Sequence, residues 1–208
     1  MLKTFCLILF LTITNGSFCQ KILEKTLDAS EIERLVIYAN AVFKLSIVSE
    51  NATEVSIVTK VTGETFENFL VTTSESIKTL TIGTSYTPYF EADNDKLAAH
   101  KVLSVEMLLN IPKNLDVVVT SKIASVEASG SYGMLQIALD TGYCELTRFS
   151  GDAWLETKDG AITVYTIGLV TGRAISKHGI VTNTLPMDGK HRVIAKSKQG
   201  DIGLFQTK

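Results

Sequence analysis

Proline, cysteine and histidine are scarce in this sequence, and each scarcity removes a class of protein. Three prolines, Pro88, Pro112 and Pro186, in 208 residues leave no proline-rich linker or polyproline segment. Of three cysteines, Cys6 and Cys19 fall in the first 19 residues, so Cys144 alone remains beyond them. A disulfide framework is thereby excluded, and the fold must be held by its core. The three histidines, His100, His178 and His191, show no metal-ligand spacing such as two His separated by three residues. Positive charge is not in excess: 20 Lys and Arg stand against 22 Asp and Glu. No basic face for nucleic acid is indicated. No metal, cofactor or catalytic set is predicted.

The chain opens Met1-Leu2-Lys3-Thr4-Phe5-Cys6-Leu7-Ile8-Leu9-Phe10-Leu11-Thr12-Ile13. One positive charge, a short apolar run and then polar Asn15-Gly16-Ser17-Phe18-Cys19 have the layout of a secretory signal peptide over residues 1–19. The apolar run is shorter than the ~20 residues a membrane-spanning helix needs. No later segment is apolar enough to span a membrane. Removal of Lys3 takes the formal net charge from −2 to −3. The expected location is outside the cytoplasm: periplasm, outer cell surface or medium.

What is abundant is β-branched residues in alternation. Leu35, Ile37 and Ala39 share one phase, as do Phe43, Leu45 and Ile47, then Val55, Ile57 and Thr59. Period-two alternation over short stretches predicts strands with one face buried. Asn51-Ala52-Thr53 reads as a hairpin turn between two of them. Ser30-Glu31-Ile32-Glu33 has the capping-box pattern of a helix start. The β-branched Val36-Ile37 and the aromatic Tyr38 that follow favour strand there.

A glycine recurs in the second half at positions 142, 160, 179 and 200. Around it, Thr157-Lys158-Asp159-Gly160-Ala161-Ile162 can be laid on Ser176-Lys177-His178-Gly179-Ile180-Val181 and on Ser197-Lys198-Gln199-Gly200-Asp201-Ile202. The second and fourth residues after each glycine are Cys144 and Leu146, Ile162 and Val164, Val181 and Asn183, Ile202 and Leu204. Five residues before stand Ile137, Leu155, Ala174 and Ala195. Repeats of about 20 residues point to a solenoid in which each unit packs on its sequence neighbours. The glycine would sit at a turn needing φ > 0. The expected fold is therefore all-β, a single-domain β-solenoid or β-roll over 20–208. Its irregular, hairpin-rich part would span 20–110 and its repeat part 111–208, joined at Pro112-Lys113-Asn114.

The entry strands Leu35 to Ile47 and Val55 to Thr59, the step Leu108-Leu109-Asn110-Ile111-Pro112-Lys113-Asn114-Leu115-Asp116-Val117, and the repeated Ser/Thr-x-x-Gly-x-Ile of Thr157 to Ile162 and Ser197 to Ile202 resemble one family. It is the family named putative auto-transporter adhesin head domain, or GIN domain, of exported bacterial proteins. The likeness runs from about Leu27 to Gln206. It implies a secreted or surface β-solenoid with an adhesive role.

Residue by residue, the candidate sites divide into structural and binding readings. Cys144 falls on the ladder of Ile162 and Ile202 and reads as a buried small hydrophobe. Asp93-Asn94-Asp95 starts like a calcium loop, but Ala98 and Ser104 stand where its Gly and Glu belong. The residues four before each glycine, Ala138, Glu156, Ile175 and Lys196, form no acidic row, and glycoside cleavage needs a carboxylate pair. Thr84 to Asp95 breaks the alternation and carries Tyr86, Tyr89 and Phe90. These three either cap the end of the fold or form a candidate ligand-binding loop. Trp154 lies on the outer phase of its strand, either packed on a neighbour or marking an adhesive surface.

The resulting expectation is a non-enzymatic exported protein that binds a surface glycan or protein through an extended β face. A polysaccharide-active β-helix enzyme and a structural envelope protein without ligand are the alternatives.

Overall fold

The computed structural model describes residues 20–63, 66–88 and 103–207. The predicted leader lies outside the described residues. Within them the chain is strand throughout, apart from one 3-10 turn at Phe66–Asn68 and the connecting turns. The first half contains β1 (Gln20–Asp28), β2 (Arg34–Tyr38), β3 (Lys44–Glu50), β4 (Glu54–Thr62), β5 (Phe69–Ser76), β6 (Thr79–Tyr86) and β7 (Ser104–Pro112). The second contains β8 (Asp116–Ser121), β9 (Ser125–Thr141), β10 (Cys144–Asp159), β11 (Ile162–Thr166), β12 (Val170–Ser176), β13 (Val181–Asn183), β14 (His191–Gln199) and β15 (Ile202–Gln206).

All fifteen join in one sheet. Its spine is the pair of long strands β9 and β10, parallel in register over most of their length. Each belongs to two branches. Their first halves continue through β3 on one side and β11 on the other, giving the order β1-β4-β7-β3-β9-β10-β11-β15-β13. Their second halves lie between β8 and β14, giving β5-β6-β2-β8-β9-β10-β14-β12. Between the halves the ladder slips at Leu146/Phe149 and around Ser150. Bulges of this kind bend a strand and turn a sheet upon itself. Tyr132 and Phe149 are buried at this corner with stacked rings 5.8 Å apart. The Tyr132 hydroxyl donates to the carbonyls of Ile47 and Ser129, at 3.1 Å each. The two branches thus wrap one core in a nearly closed, barrel-like form.

Alternation supplies that core. Leu35, Ile37 and Ala39 are buried, as are Leu45, Ile47, Val55 and Ile57. Phe43 breaks its expected phase and is exposed, because it precedes β3 in a turn. Each fully buried Leu, Ile or Val contributes about 1.5–3 kcal/mol of transfer free energy. The helix start at Ser30 is not used: Ser30 donates from its amide and its hydroxyl to Asp28 in a turn, and β2 follows.

The expected solenoid of short repeats is not what forms. In a solenoid the units stack in chain order. Here β15, which follows the fourth glycine, lies between β11 and β13, which follow the second and third. Likewise β14 lies between β10 and β12. The pairings are also mixed: β1 with β4, β4 with β7 and β5 with β6 are antiparallel, and the rest are parallel. The repeat glycines reflect local strand geometry and not a succession of equivalent rungs. The hairpin read at Asn51-Ala52-Thr53 is also corrected. The turn exists, but β7 lies between the strands it joins. The two-residue hairpin is instead β5–β6, where Ile77 and Lys78 have φ of 43° and 58°. Positive φ at both central residues matches the right-handed twist of the flanking strands.

Candidate functional site: an aromatic face across five strands

Strands β8, β9, β10, β14 and β12 present alternate side chains outward, because successive residues of a strand point to opposite faces. Inward-facing Val119, Ile137, Leu155, Ala195 and Ala174 are paired across these strands and lie in or against the core. The residues between them therefore form outward rows. One row reads Val118, Gln136, Trp154, Ile194, Arg173. The next reads Thr120, Ala138, Glu156, Lys196, Ile175. Strand β2 extends both rows through Val36 and Tyr38.

Trp154 is the only tryptophan in the chain, and 44% of it is exposed. Gln136 and Ile194 stand beside it in the row, and the shorter Ala138, Thr120 and Thr171 line the recesses around it. Three shallow recesses of about 270–310 Å3 open around this one indole. Lys196 lies diagonally across from it, with Nζ 4.8 Å from the ring centre. A cation over the negative face of an indole gains about 0.5–1 kcal/mol at an exposed site. Tyr38, half exposed, shares the face three strands away, a lateral distance of about 14 Å at ordinary strand spacing.

Charge around Trp154 is unbalanced. Asp152 accepts the Arg192 amide at 2.8 Å and lies 3.5 Å from His191 Nδ1. Its carboxylate is thus engaged. The guanidinium groups of Arg173 and Arg192 and the ammonium groups of Lys190 and Lys196 have no ion-pair partner among the described residues. Beside the first half of β9, by contrast, a surface carboxylate has a cation partner. Glu127 pairs with Lys44 at 2.8 Å and accepts the Tyr143 hydroxyl at 2.6 Å. The Lys44 hydrogen bond holds the Glu127 carboxyl below its usual range, and that carboxylate raises the Tyr143 phenol.

Of the other sequence candidates, Tyr86, Cys144 and His178 are among the described residues. Tyr86 ends β6, and its ring meets Phe69 edge-on at 6.2 Å, so it packs on a buried side chain. Tyr89, Phe90, His100 and Asp93-Asn94-Asp95 lie outside the described residues. Cys144 is buried, and burial pushes its thiol up to about 12. His178 is exposed in a turn. Among the described residues no group of three His, Cys, Asp or Glu could hold a metal, and no helix is long and apolar enough to cross a membrane.

Sequence reading left Trp154 open between packing and exposure, and did not connect it with Arg173 or Ile194. The signal was there: Gln136, Trp154, Arg173 and Ile194 each stand six residues before a repeat glycine.

The fold and the face define an all-β protein with a solvent-facing aromatic platform and no enclosed cleft at it. No family model and no curated protein matches the chain. Among solved structures, it resembles a putative cell adhesion protein from Clostridium sporogenes at 16% identity and a TM-score of 0.62. That alignment covers 90% of this chain and 100% of the other, and the likeness is one of fold. A putative adhesin from Bacteroides fragilis aligns over 90% of this chain and 97% of its own at 12% identity, with a TM-score of 0.31. A putative lipid binding protein from Parabacteroides distasonis aligns over 93% and 98% at 12% identity, with a TM-score of 0.26.

Proposed function

We propose that this is an exported, non-enzymatic binding protein of the adhesin type, related to the GIN-domain family, which engages a surface glycan or protein through the Tyr38–Trp154 face. The observation that carries this reading is the exposure of Trp154 at the meeting point of three recesses. An exposed indole on a rigid strand offers flat apolar area at little cost in side-chain entropy, and Trp and Tyr are enriched where binding energy concentrates. The recesses are shallow and open, which suits contact along an extended ligand better than enclosure of a small substrate. Likeness of fold to a protein described as a putative cell adhesion protein supports the same direction, and the signal-peptide layout of residues 1–19 supports export.

The test is a glycan array and a whole-cell binding assay on the purified protein, with Trp154→Ala and Tyr38→Ala beside it. Saturable binding that Trp154→Ala abolishes while the variant keeps its circular dichroism spectrum is the expected result. Binding that both variants retain would move the site elsewhere, and absence of any binding would leave a structural role.

A further inference from the structure

The recess between Trp154 and β12 differs from its two neighbours in charge. Its lining is Trp154, Arg173, Ile175, Ile194, Ala195 and Lys196. One wall is aromatic, the floor is aliphatic, and the two charged groups are both cations. Among the described residues no carboxylate lines it, although the protein as a whole is acidic. The adjoining recesses each contain an acid, Asp152 in one and Glu156 in the other. Arg173 is exposed and has no ion-pair partner among the described residues. Arg173, Ile194 and Trp154 stand side by side in one register row.

From this arrangement we propose that the recess takes an acidic sugar, a pyranose bearing a carboxylate, such as a uronic or sialic acid unit of a larger glycan. The inference rests on the Trp154 reading above and names its ligand class. A pyranose has an apolar face of C–H groups and a polar rim. The face suits the indole and the Ile194 floor, and the rim stays hydrated at the open mouth of the recess. The carboxylate then meets Arg173, whose planar fork matches two carboxylate oxygens. Lys196 is a flexible, exposed side chain, and exposed side chains change rotamer on the picosecond to nanosecond scale. It leaves the indole to add a second positive contact, exchanging a weak cation–π attraction for a charge-assisted hydrogen bond. The recess, about 270 Å3, is smaller than the pockets of about 300–1,000 Å3 that enclose drug-sized ligands. It accommodates one ring at a time of a chain that continues along the face towards Tyr38.

Fluorescence of the single tryptophan provides the readout. The protein is titrated with oligogalacturonate, with sialyllactose, with the carboxyl-reduced or desialylated counterpart of each, and with dextran sulfate as an anion of other chemistry. The expected result is saturable quenching or enhancement by at least one carboxylated sugar, about tenfold tighter than its neutral counterpart, the size of one charge-assisted hydrogen bond. Arg173→Gln should remove that tenfold preference, and Arg173→Lys should restore only part of it. The two carboxylated sugars distinguish a uronate from a sialic acid source. Equal binding of charged and neutral sugars would overturn the acidic-sugar assignment; titration calorimetry, which needs no tryptophan, then reads Trp154→Ala, and loss of both sugars there would leave the platform standing. Dextran sulfate binding as tightly as the carboxylated sugars would reduce the recess to unselective charge attraction and overturn it too. No binding of any probe, here and on the wider array, would overturn both.

Discussion

A Cβ added to Gly200 would fall on the carbonyl oxygen of Gly160, the residue beside it in the neighbouring strand connection. The same contact recurs along a column: Gly160 against Gly142, Gly200 against Gly160, and Gly179 against Gly200. The reason for glycine is therefore close backbone approach. Positive φ adds to it at Gly142 and Gly160, with 107° and 147°, whereas Gly179 and Gly200 lie outside that region. Gly200→Ala should destabilise the protein by about 1–3 kcal/mol, the usual penalty of overpacking against a backbone that cannot yield. Gly168→Ala is the comparison, since nothing lies within 4 Å of its Cβ and only its φ of 81° is unfavourable. Its penalty should be about 1 kcal/mol. Urea denaturation midpoints at constant m-value distinguish the two, and equal midpoints would contradict the close-approach account.

Ile162 lies between Cys144 and Ile202 in adjoining parallel strands, with no side-chain surface exposed. Ile162→Asp places a carboxylate there with no partner. The expected loss exceeds about 4 kcal/mol, in the range reserved for unpaired buried charge. Far-ultraviolet circular dichroism at 25 °C should show loss of the folded β signal. A cooperative unfolding transition near the parent midpoint would refute the placement of this residue.

Thr59 is wholly buried, and its hydroxyl has no hydrogen-bond partner among the described residues. Such a group retains its desolvation penalty without return. Thr59→Val keeps the branched shape and removes the hydroxyl, and should stabilise the fold by roughly 1 kcal/mol. Calorimetry should therefore record a higher melting temperature. A lower one would mean that the hydroxyl is satisfied by a group such as a buried water.

Alkaline pH should weaken the protein through Cys144. Burial raises its thiol from an ordinary value of 9.0 to about 12 in the fold. The folded state holds the proton more tightly than the unfolded one. Stability from this group is complete below pH 9, declines above it and is gone by about pH 12. The Tyr132 phenol, also raised by burial, acts in the same direction. Cys144→Ala removes the thiol's share at a loss of about 1–2 kcal/mol for the vacated volume, and the slope of stability against pH between 9 and 10.5 should become shallower. An unchanged slope would show that the thiol titrates alike in both states. In the native protein the thiol should also resist Ellman's reagent until denaturant is added.

Trp154 should be quenched by iodide more efficiently than by caesium. Unpaired Arg173, Arg192, Lys190 and Lys196 surround an indole that is 44% exposed. They concentrate anions near it, and the difference should shrink as sodium chloride screens the field over about 10 Å at 0.1 M. Arg173→Gln should narrow the iodide advantage. Equal quenching by both ions at low salt would mean that the acids nearby cancel the field.

The candidate site was half legible. Trp154 could be placed on the outer phase of a strand, because side-chain direction follows from period two alone. Arg173, Ile194 and Gln136 occupy the equivalent place six residues before each repeat glycine, so their phase was legible as well. Tyr38 was not linked to them, since it belongs to β2, more than 90 residues earlier in the chain. Only pairing of β2 with β8 brings it onto the same face. Tyr86, read from sequence as either a cap or part of a binding loop, meets Phe69 edge-on across the β5–β6 hairpin and stays 41% exposed.

Strand content, the buried phase of nearly every strand, the burial of Cys144 and the recurrence of glycine at strand connections were all determined by the sequence itself. Each depends on the pleat of an extended chain and on local turn chemistry, which act over a few residues. The order of strands was decided only by tertiary structure. The column runs Gly142, Gly160, Gly200, Gly179 and not in chain order, because β14 and β15 insert beside β10 and β11. Three of the four units carry nearly the same apolar ladder, so any pair of those three would fit side by side. Ile162 accepts Ile202 as a neighbour, whereas Val181 and Asn183 of the third unit remain exposed at the sheet edge. The weakest ladder is thus placed outermost, where least apolar surface is lost from the core. That choice compares the burial of whole strands, a sum over distant residues that no local pattern records.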